Sequence, residues 1–276
     1  MNGRAAGGGS VLDGIVAGTR ERVEIARRTT DLEALREAAS TRNPVRSLSA
    51  ALTREGGVRV IAEHKRRSPS RGLILETLAP REVGQAYAKA GAAAISVLTE
   101  PNSFGGSLDH LREVRAVVDC PVLRKDFIVD PWLVWETAAA GADALLLIVA
   151  ALDDLTLARL LTETAEAGLE ALVEVHDGEE LDRALAAGAR IVGVNNRNLK
   201  TLAVSVEVSL SLADGIPEDV IAVSESGIRT GSDLARLVRA GYDAFLVGES
   251  LMTTGDPGKA LAKLMAEANG LLEKRP

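Results

Sequence analysis

Two lysines and three glutamates occupy positions from which protons could be moved. In "IAEHKRRSPSRG", Ile61 to Gly72, the pair Glu63 and Lys65 closes an apolar run. Residues two apart in a strand point to the same side. A carboxylate and an ammonium therefore share a face with Ile61, a core residue. Lys125 lies between Leu123 and Phe127 at the same spacing in "PVLRKDFI". Glu174 follows Leu172 in "EALVEVH", and Glu225 follows Ile221 and Val223 in "VIAVSES". If these faces turn inward, two cations and three carboxylates converge. Unpaired buried charge is costly, so the groups must neutralise one another or meet a charged ligand. An ammonium can serve as general acid and a carboxylate as general base. A purely structural ion-pair network is the alternative.

Further along, "SESGI" and "VGESL" put small residues where a strand gives way to a helix. Free backbone amides and a helix dipole at such a junction attract an anion, phosphate above all. Gly227 and Gly248 would let the backbone come close, Ser226 and Ser250 would add hydroxyl donors, and Lys65 would add charge. The alternative is that these glycines only satisfy turn geometry.

These groups need strands to position them, and the chain supplies eight. They are "VRVIAEHK" (58–65), "AAISVLTE" (93–100), "PVLRKDFI" (121–128), "DALLLIVA" (143–150), "EALVEVH" (170–176), "IVGVNNR" (191–197), "VIAVSES" (220–226) and "AFLVGES" (244–250). Amphipathic Ala/Leu-rich runs separate them, often closed by "AG", where Gly fits the left-handed residue that ends a helix. Strand–helix alternation of this kind predicts an α/β fold, a (β/α)8 TIM barrel. An open doubly wound sheet is the competitor, but it would more often carry a Gly-rich phosphate loop after its first strand, which is absent here. In a barrel the active site lies at the C-terminal ends of the strands, where this sequence concentrates its polar residues. A helical segment precedes the barrel, with Asp13 as a candidate N-cap. The chain is read as a single domain, 1–276: a disordered stretch 1–10, an N-terminal helical extension 11–57 packed on the barrel or over one of its ends, and the barrel itself at 58–270.

Bulk properties narrow the function. The 276 residues are 46% hydrophobic, ample for a full core, and only 3% aromatic. A net charge of −7 argues against a nucleic-acid footprint. The N-terminal stretch lacks the apolar core of a signal peptide, and no apolar run reaches membrane-helix length, so a cytoplasmic protein with no membrane partner is expected. The lone Cys120 is expected to be a buried small hydrophobe. His64, His110 and His176 lack metal-ligand spacing. His64 should turn outward as a packing residue, and His176 approaches the pocket without a catalytic assignment. Trp132 and Trp135 read as helix-packing residues.

The motifs "AEHKRRSPSRG", "LRKDFIVDP", "VEVH", "GVNNRNL", "SESGI" and "FLVGESLM" resemble those of the indole-3-glycerol phosphate synthase family. "VLDGIV" near the N-terminus and "TEPNSFGGSLDHL" after the second strand extend the likeness from about residue 11 to about residue 255. No second catalytic unit is seen, so the resemblance is to the monofunctional form. It implies ring closure of 1-(2-carboxyphenylamino)-1-deoxyribulose 5-phosphate with loss of carbon dioxide and water, in tryptophan biosynthesis. Lys125 would be the general acid at the substrate carbonyl and Glu174 the base for dehydration. Lys65 would hold the carboxylate or phosphate, Glu63 would orient a lysine, and Asn195 would position hydroxyls or the second lysine. Arg197 and Glu225 would support the ribulose side. Ser226, Gly227, Gly248, Glu249 and Ser250 would take the phosphate. Leu98, Phe104, Phe127 and Leu147 would form a slot for the aromatic ring. Ser68 and Ser70 would lie on a loop that moves over the substrate. The implied partner is a small phosphorylated aromatic substrate, with no cofactor and no metal. The protein would act as a monomer, or self-associate weakly. Two alternatives keep the same barrel: a related isomerase or Schiff-base lyase, which borohydride trapping would reveal, and a catalytically silent binding barrel.

Overall fold

The computed structural model describes residues 10–53, 56–68, 72–74, 77–199 and 201–273. Eight parallel strands close into a barrel: β1 (Arg59–His64), β2 (Ala94–Leu98), β3 (Val122–Lys125), β4 (Ala144–Ile148), β5 (Glu170–Val175), β6 (Ile191–Asn195), β7 (Ile221–Glu225) and β8 (Ala244–Val247). β8 pairs back onto β1 through Ile61 and Leu246, which completes the ring. All eight expected strands form. Most end a residue or more earlier than their apolar runs suggest, because their polar tips leave the ladder and turn toward the mouth. The residues in the left-handed region at Gly91, Gly141, Gly168, Gly188 and Gly241 are the glycines of the recurring "AG".

Alternation divides the strands between two cores. Val60, Val97, Leu145, Val173 and Val194 pack outward under the helices. Ile61, Ala94, Leu123, Ala144, Leu172, Ile191, Val223 and Ala244 fill the barrel interior. Three helices precede the barrel: α1 (Val11–Ala26), α2 (Leu32–Ser40) and α3 (Leu48–Thr53). Residues 1–9 of the stretch expected to be disordered lie outside the described residues. Ser10 does not belong to such a stretch. It caps α1 by accepting from the Asp13 amide, while Asp13 accepts the Ser10 amide in return. Asp13 is thus the partner of the cap rather than the cap itself, because only a residue in extended geometry can aim its side chain at the first turn.

The extension touches the barrel from mouth to floor. Leu12 reaches the cavity at the mouth. Lower on α1, Arg22 pairs with Asp126 at 3.2 Å and Arg27 with Asp130 at 2.6 Å. α2 lies along the helix Pro131–Ala139. There Trp132 Nε1 donates to the Thr30 carbonyl, and Arg36 stacks 4.8 Å over the Trp135 ring. Leu48 and Leu52 of α3 enter the interior cluster and plug the barrel floor. The carboxylate of Glu170 accepts the amides of Leu48 and Ser49, so the first residue of β5 caps the plug. Cys120, just before β3, is half-buried rather than buried as expected. Among the described residues no helix is long and apolar enough to cross a membrane.

Candidate active site

A cavity of about 420 Å³ opens at the C-terminal ends of the strands. Its floor is set by Leu146, Ile148 and Leu246, and its wall carries Glu63, Lys65, Lys125, Glu174, Asn195 and Glu225. All the inward faces expected from alternation converge here. Lys65 Nζ lies 2.6 Å from Glu63 Oε1. Lys125 Nζ donates to Glu174 Oε2 at 3.1 Å and to Glu225 Oε2 at 3.0 Å. Glu225 is therefore a direct partner of the central lysine. Burial alone would lower the Lys125 pKa, but the carboxylates of Glu225, Glu174 and Glu63 outweigh it and raise it. Burial would raise Glu174; Lys125, His176 and a hydrogen bond from Asn195 overcome this and hold it below the usual carboxylate range. Glu225 is pushed up to about 7, first by burial and then by its neighbouring carboxylates, against the pull of Lys125. Lys125 is thus an ammonium beside one firmly ionised carboxylate and one carboxyl near neutrality.

One contact was missed in the sequence. His176 Nδ1 lies 2.9 Å from Glu180 Oε2, and its Nε2 lies 3.3 Å from Glu174 Oε1. The signal was present as the four-residue spacing of His176 and Glu180 across a strand-to-helix junction, but only the fold shows that the ring also meets Glu174. His64, by contrast, is buried among packing residues as expected. It lies edge-on to His110, with centroids 5.8 Å apart.

The aromatic slot differs from expectation at one position. Leu98, Phe104 and Phe127 line the cavity, with the two phenylalanine rings 6.2 Å apart. Leu147 does not. It packs outward under the helices, while Leu146 and Ile148 face the cavity. β4 reads "ALLLI", apolar on both faces, so its side chains gave no alternation from which to choose. Phe104 is positioned by Glu100, whose buried carboxylate caps the turn by accepting the amides of Asn102, Ser103 and Phe104. Ser68 ends a short strand that pairs with Gly72–Leu73. Its side chain and the whole of Ser70 lie outside the described residues.

The expected phosphate end is built from two junctions. Ser226 and Gly227 both adopt left-handed backbone, with φ of 66° and 79°. This is unfavourable for serine, by about 1–3 kcal/mol. Asn196 holds the turn, donating from Nδ2 to Ser224 Oγ and to the Ser226 carbonyl, each at 3.1 Å. Across the mouth, the short helix Glu249–Met252 begins right after Gly248, so its first amides have no partner within the helix. Ser250 Oγ donates to the Ile228 carbonyl at 3.0 Å, so Ser250 offers its amide rather than its hydroxyl. Glu249 likewise offers its amide, for its carboxylate lies 3.8 Å from Arg197. An added Cβ at Gly248 would come within 2.4 Å of Glu63 Oε1, so this glycine makes room for Glu63 as well as for a ligand.

A protonated lysine in a carboxylate cage, an aromatic slot and an amide-rich rim make a constellation that can be compared with known proteins. The sequence pattern described as indole-3-glycerol phosphate synthase matches residues 12–264. The chain belongs to the indole-3-glycerol phosphate synthase family. The synthase of that name from Mycolicibacterium smegmatis is 52% identical over 256 residues, covering 93% of this chain and 94% of its own. The one from Carboxydothermus hydrogenoformans is 49% identical over 263 residues, covering 92% and 99%. Two solved structures at low identity share the fold alone. A mandelate oxidase with (S)-2-phenylpropionate aligns with a TM-score of 0.62 at 19% identity, covering 88% of this chain and 84% of its own. A thiamine phosphate pyrophosphorylase from Pyrococcus furiosus aligns at 0.59 and 17% identity, covering 82% and 100%. Family membership makes the chain an enzyme of tryptophan biosynthesis, a carboxy-lyase.

Proposed function

We propose that the cavity closes the indole ring of 1-(2-carboxyphenylamino)-1-deoxyribulose 5-phosphate and releases carbon dioxide and water. The observation that carries this reading is Lys125 Nζ held between Glu174 and Glu225 inside a cavity with an aromatic slot on one side and an amide-rich rim on the other. The phosphate would meet the backbone of Ser226, Gly227, Gly248, Glu249 and Ser250, and the aromatic ring would lie among Leu98, Phe104 and Phe127. Lys65, held by Glu63, would meet a substrate anion and share acid work. Asn195 and Arg197 would position the ribulose hydroxyls.

In the first step the ring carbon bearing the carboxylate attacks the ketone. Negative charge develops on the ketone oxygen, and the Lys125 ammonium stabilises it and then delivers its proton. Loss of carbon dioxide restores the aromatic ring. Dehydration follows: Glu174 takes a proton from the carbon between the nitrogen and the former ketone carbon, and Lys65 protonates the departing hydroxyl, which leaves as water. The electrostatics order the two steps. After burial, the Lys125 cation is the leading influence on Glu174 and lowers its pKa. Once Lys125 has given up its proton, that influence is gone, and Glu174 becomes the stronger base that dehydration requires. The same electrostatics argue against a Schiff-base lyase, which needs a neutral amine nucleophile. Lys125 is instead held protonated by its glutamates. The helical extension 11–57 and the barrel 58–270 would act as one unit, as a monomer in the cytoplasm.

The test is direct. Supplied with the carboxyphenylamino-deoxyribulose phosphate, the protein should generate indole absorbance. Glu174→Gln keeps size and hydrogen bonding but not basicity. It should lower kcat by about 10²-fold or more with little change in product affinity, the pattern of an interaction made mainly in the transition state. Parental turnover in this variant would remove Glu174 as the base.

A further inference from the structure

Glu174 has two carboxylate oxygens, and they meet different partners. Lys125 takes Oε2. His176 Nε2 stands 3.3 Å from Oε1, buried and close, yet not aligned for a hydrogen bond. The imidazole cannot turn freely. Glu180, from the first turn of the helix Gly178–Ala186, takes its Nδ1 at 2.9 Å and also accepts the His176 backbone amide at 2.8 Å. Glu180 is held in turn, for its own amide donates to Asp177, the N-cap of that helix. A chain of contacts therefore runs from a helix terminus through Glu180 and His176 to Glu174.

We propose that His176, anchored by Glu180, is a positioning residue for Glu174: it stands against the Oε1 side of the base and fixes which oxygen is presented to the substrate. This inference rests on Glu174 being the base. The carboxylate is pinned on one side by an acid that loses its charge when it reacts. Once that charge is gone, only His176 and the hydrogen bond from Asn195, among the described residues, still hold the carboxylate in place. The charged groups facing His176 are Glu174 from β5 and Glu180 from the following helix, and Glu174 itself faces Lys125 from β3. Burial would lower the His176 pKa, but contacts with Glu174 and Glu180 outweigh this and push it up to about 10, so the ring carries a positive charge through the neutral range. A cation that stays in place while Lys125 changes its charge keeps Glu174 ionised until it takes its proton.

Full-length His176→Ala, His176→Gln and Glu180→Gln test this through steady-state kinetics across pH. His176→Ala should lower kcat on the order of tenfold, less than the 10²-fold expected for losing the base itself. KM should stay within about twofold, because the phosphate and ring contacts lie elsewhere. The acid limb of the kcat profile should move to higher pH as Glu174 loses a cation. His176→Gln, which keeps a donor near Oε1, should recover much of kcat but not the position of the limb. Glu180→Gln should move the limb in the same direction by less, and it carries the test if His176→Ala does not fold. A role in packing alone would lower stability and leave the limb in place. Parental kcat with an unmoved limb in these variants overturns the inference. If Glu174→Gln is inactive while they behave as the parent, only this inference fails; if Glu174→Gln keeps parental turnover, the base assignment fails first.

Discussion

At the scale of the residue, Lys125 does two things that a single substitution would separate. As the proposed acid, its removal in Lys125→Ala should lower kcat by at least about 10²-fold. As the counter-ion of Glu174 and Glu225, its removal leaves two buried carboxyls facing each other. Breaking such a buried pair costs up to about 3–5 kcal/mol when the remaining charge cannot be relieved. Here protonation can relieve it. Glu174 keeps its contact with His176, but the Glu225 pKa, already raised, would rise further above the unfolded value of about 4.3, so its contribution is intact below that pH and lost as pH rises through the folded value. Urea unfolding at several pH values should therefore show the gap between parent and Lys125→Ala widening as pH rises; a constant gap would mean the cage does not depend on this lysine. His176 obeys the same sign rule. Its pKa is raised to about 10, so the stability it contributes is fully present below its unfolded value of about 6.5 and lost as pH rises through about 10. The stability difference between parent and His176→Gln should shrink between pH 7 and pH 10.

At the scale of the element, the strands position charges partly by what they omit. Gly193 on β6 has no side chain, and an added Cβ there would fall 2.1 Å from Glu225 Oε1. Glu225 fits beside Lys125 because its neighbouring strand leaves this gap. Gly193→Ala should push the carboxylate off Lys125, lower kcat by about tenfold, and cost about 1–3 kcal/mol through overpacking. A variant with parental kcat would mean that the position of Glu225 is not required. Gly248 makes the corresponding gap for Glu63. The Ser226–Gly227 turn works in the opposite sense: its unfavourable backbone is held by Asn196, a residue that does not line the cavity.

At the scale of the whole molecule, the barrel has one open end. The mouth holds the cavity, while α3 closes the floor with Leu48 and Leu52, both almost fully buried. Leu52→Ala should destabilise by about 2–5 kcal/mol, the usual cost of a large-to-small change in a core. It lies at the end of the barrel opposite the charges, so kcat well below the melting temperature should remain near the parental value. A loss of turnover at unchanged stability would show that the floor communicates with the mouth. Charge balance is also a whole-molecule property. The cavity's two lysines are already paired, Lys65 with Glu63 and Lys125 with Glu174 and Glu225. An anionic substrate must compete with these carboxylates, which gives the amide-rich rim its importance in binding.

Much of this was legible in the chain because it is local. Period-two alternation identified the inward faces of β1, β3, β5 and β7, and so Glu63, Lys65, Lys125, Glu174 and Glu225. Glycine after five of the amphipathic runs marked helix ends, and polar strand tips marked the mouth. The family likeness added the substrate. Where alternation fails, the sequence is silent: in "ALLLI" every side chain is apolar, and only the closed sheet decides that Leu146 and Ile148 face the cavity and Leu147 the helices. The remaining decisions join residues far apart in the chain. Glu225 bonds Lys125 across 100 positions, and Glu170 caps a helix 121 positions earlier. Gly193 matters because of a carboxylate on the next strand, and His176 because a helix turns Glu180 back toward it. Periodicity tells which way a side chain points from its own strand. What it meets there depends on barrel closure, which sets the distance between strands and lies in no single segment.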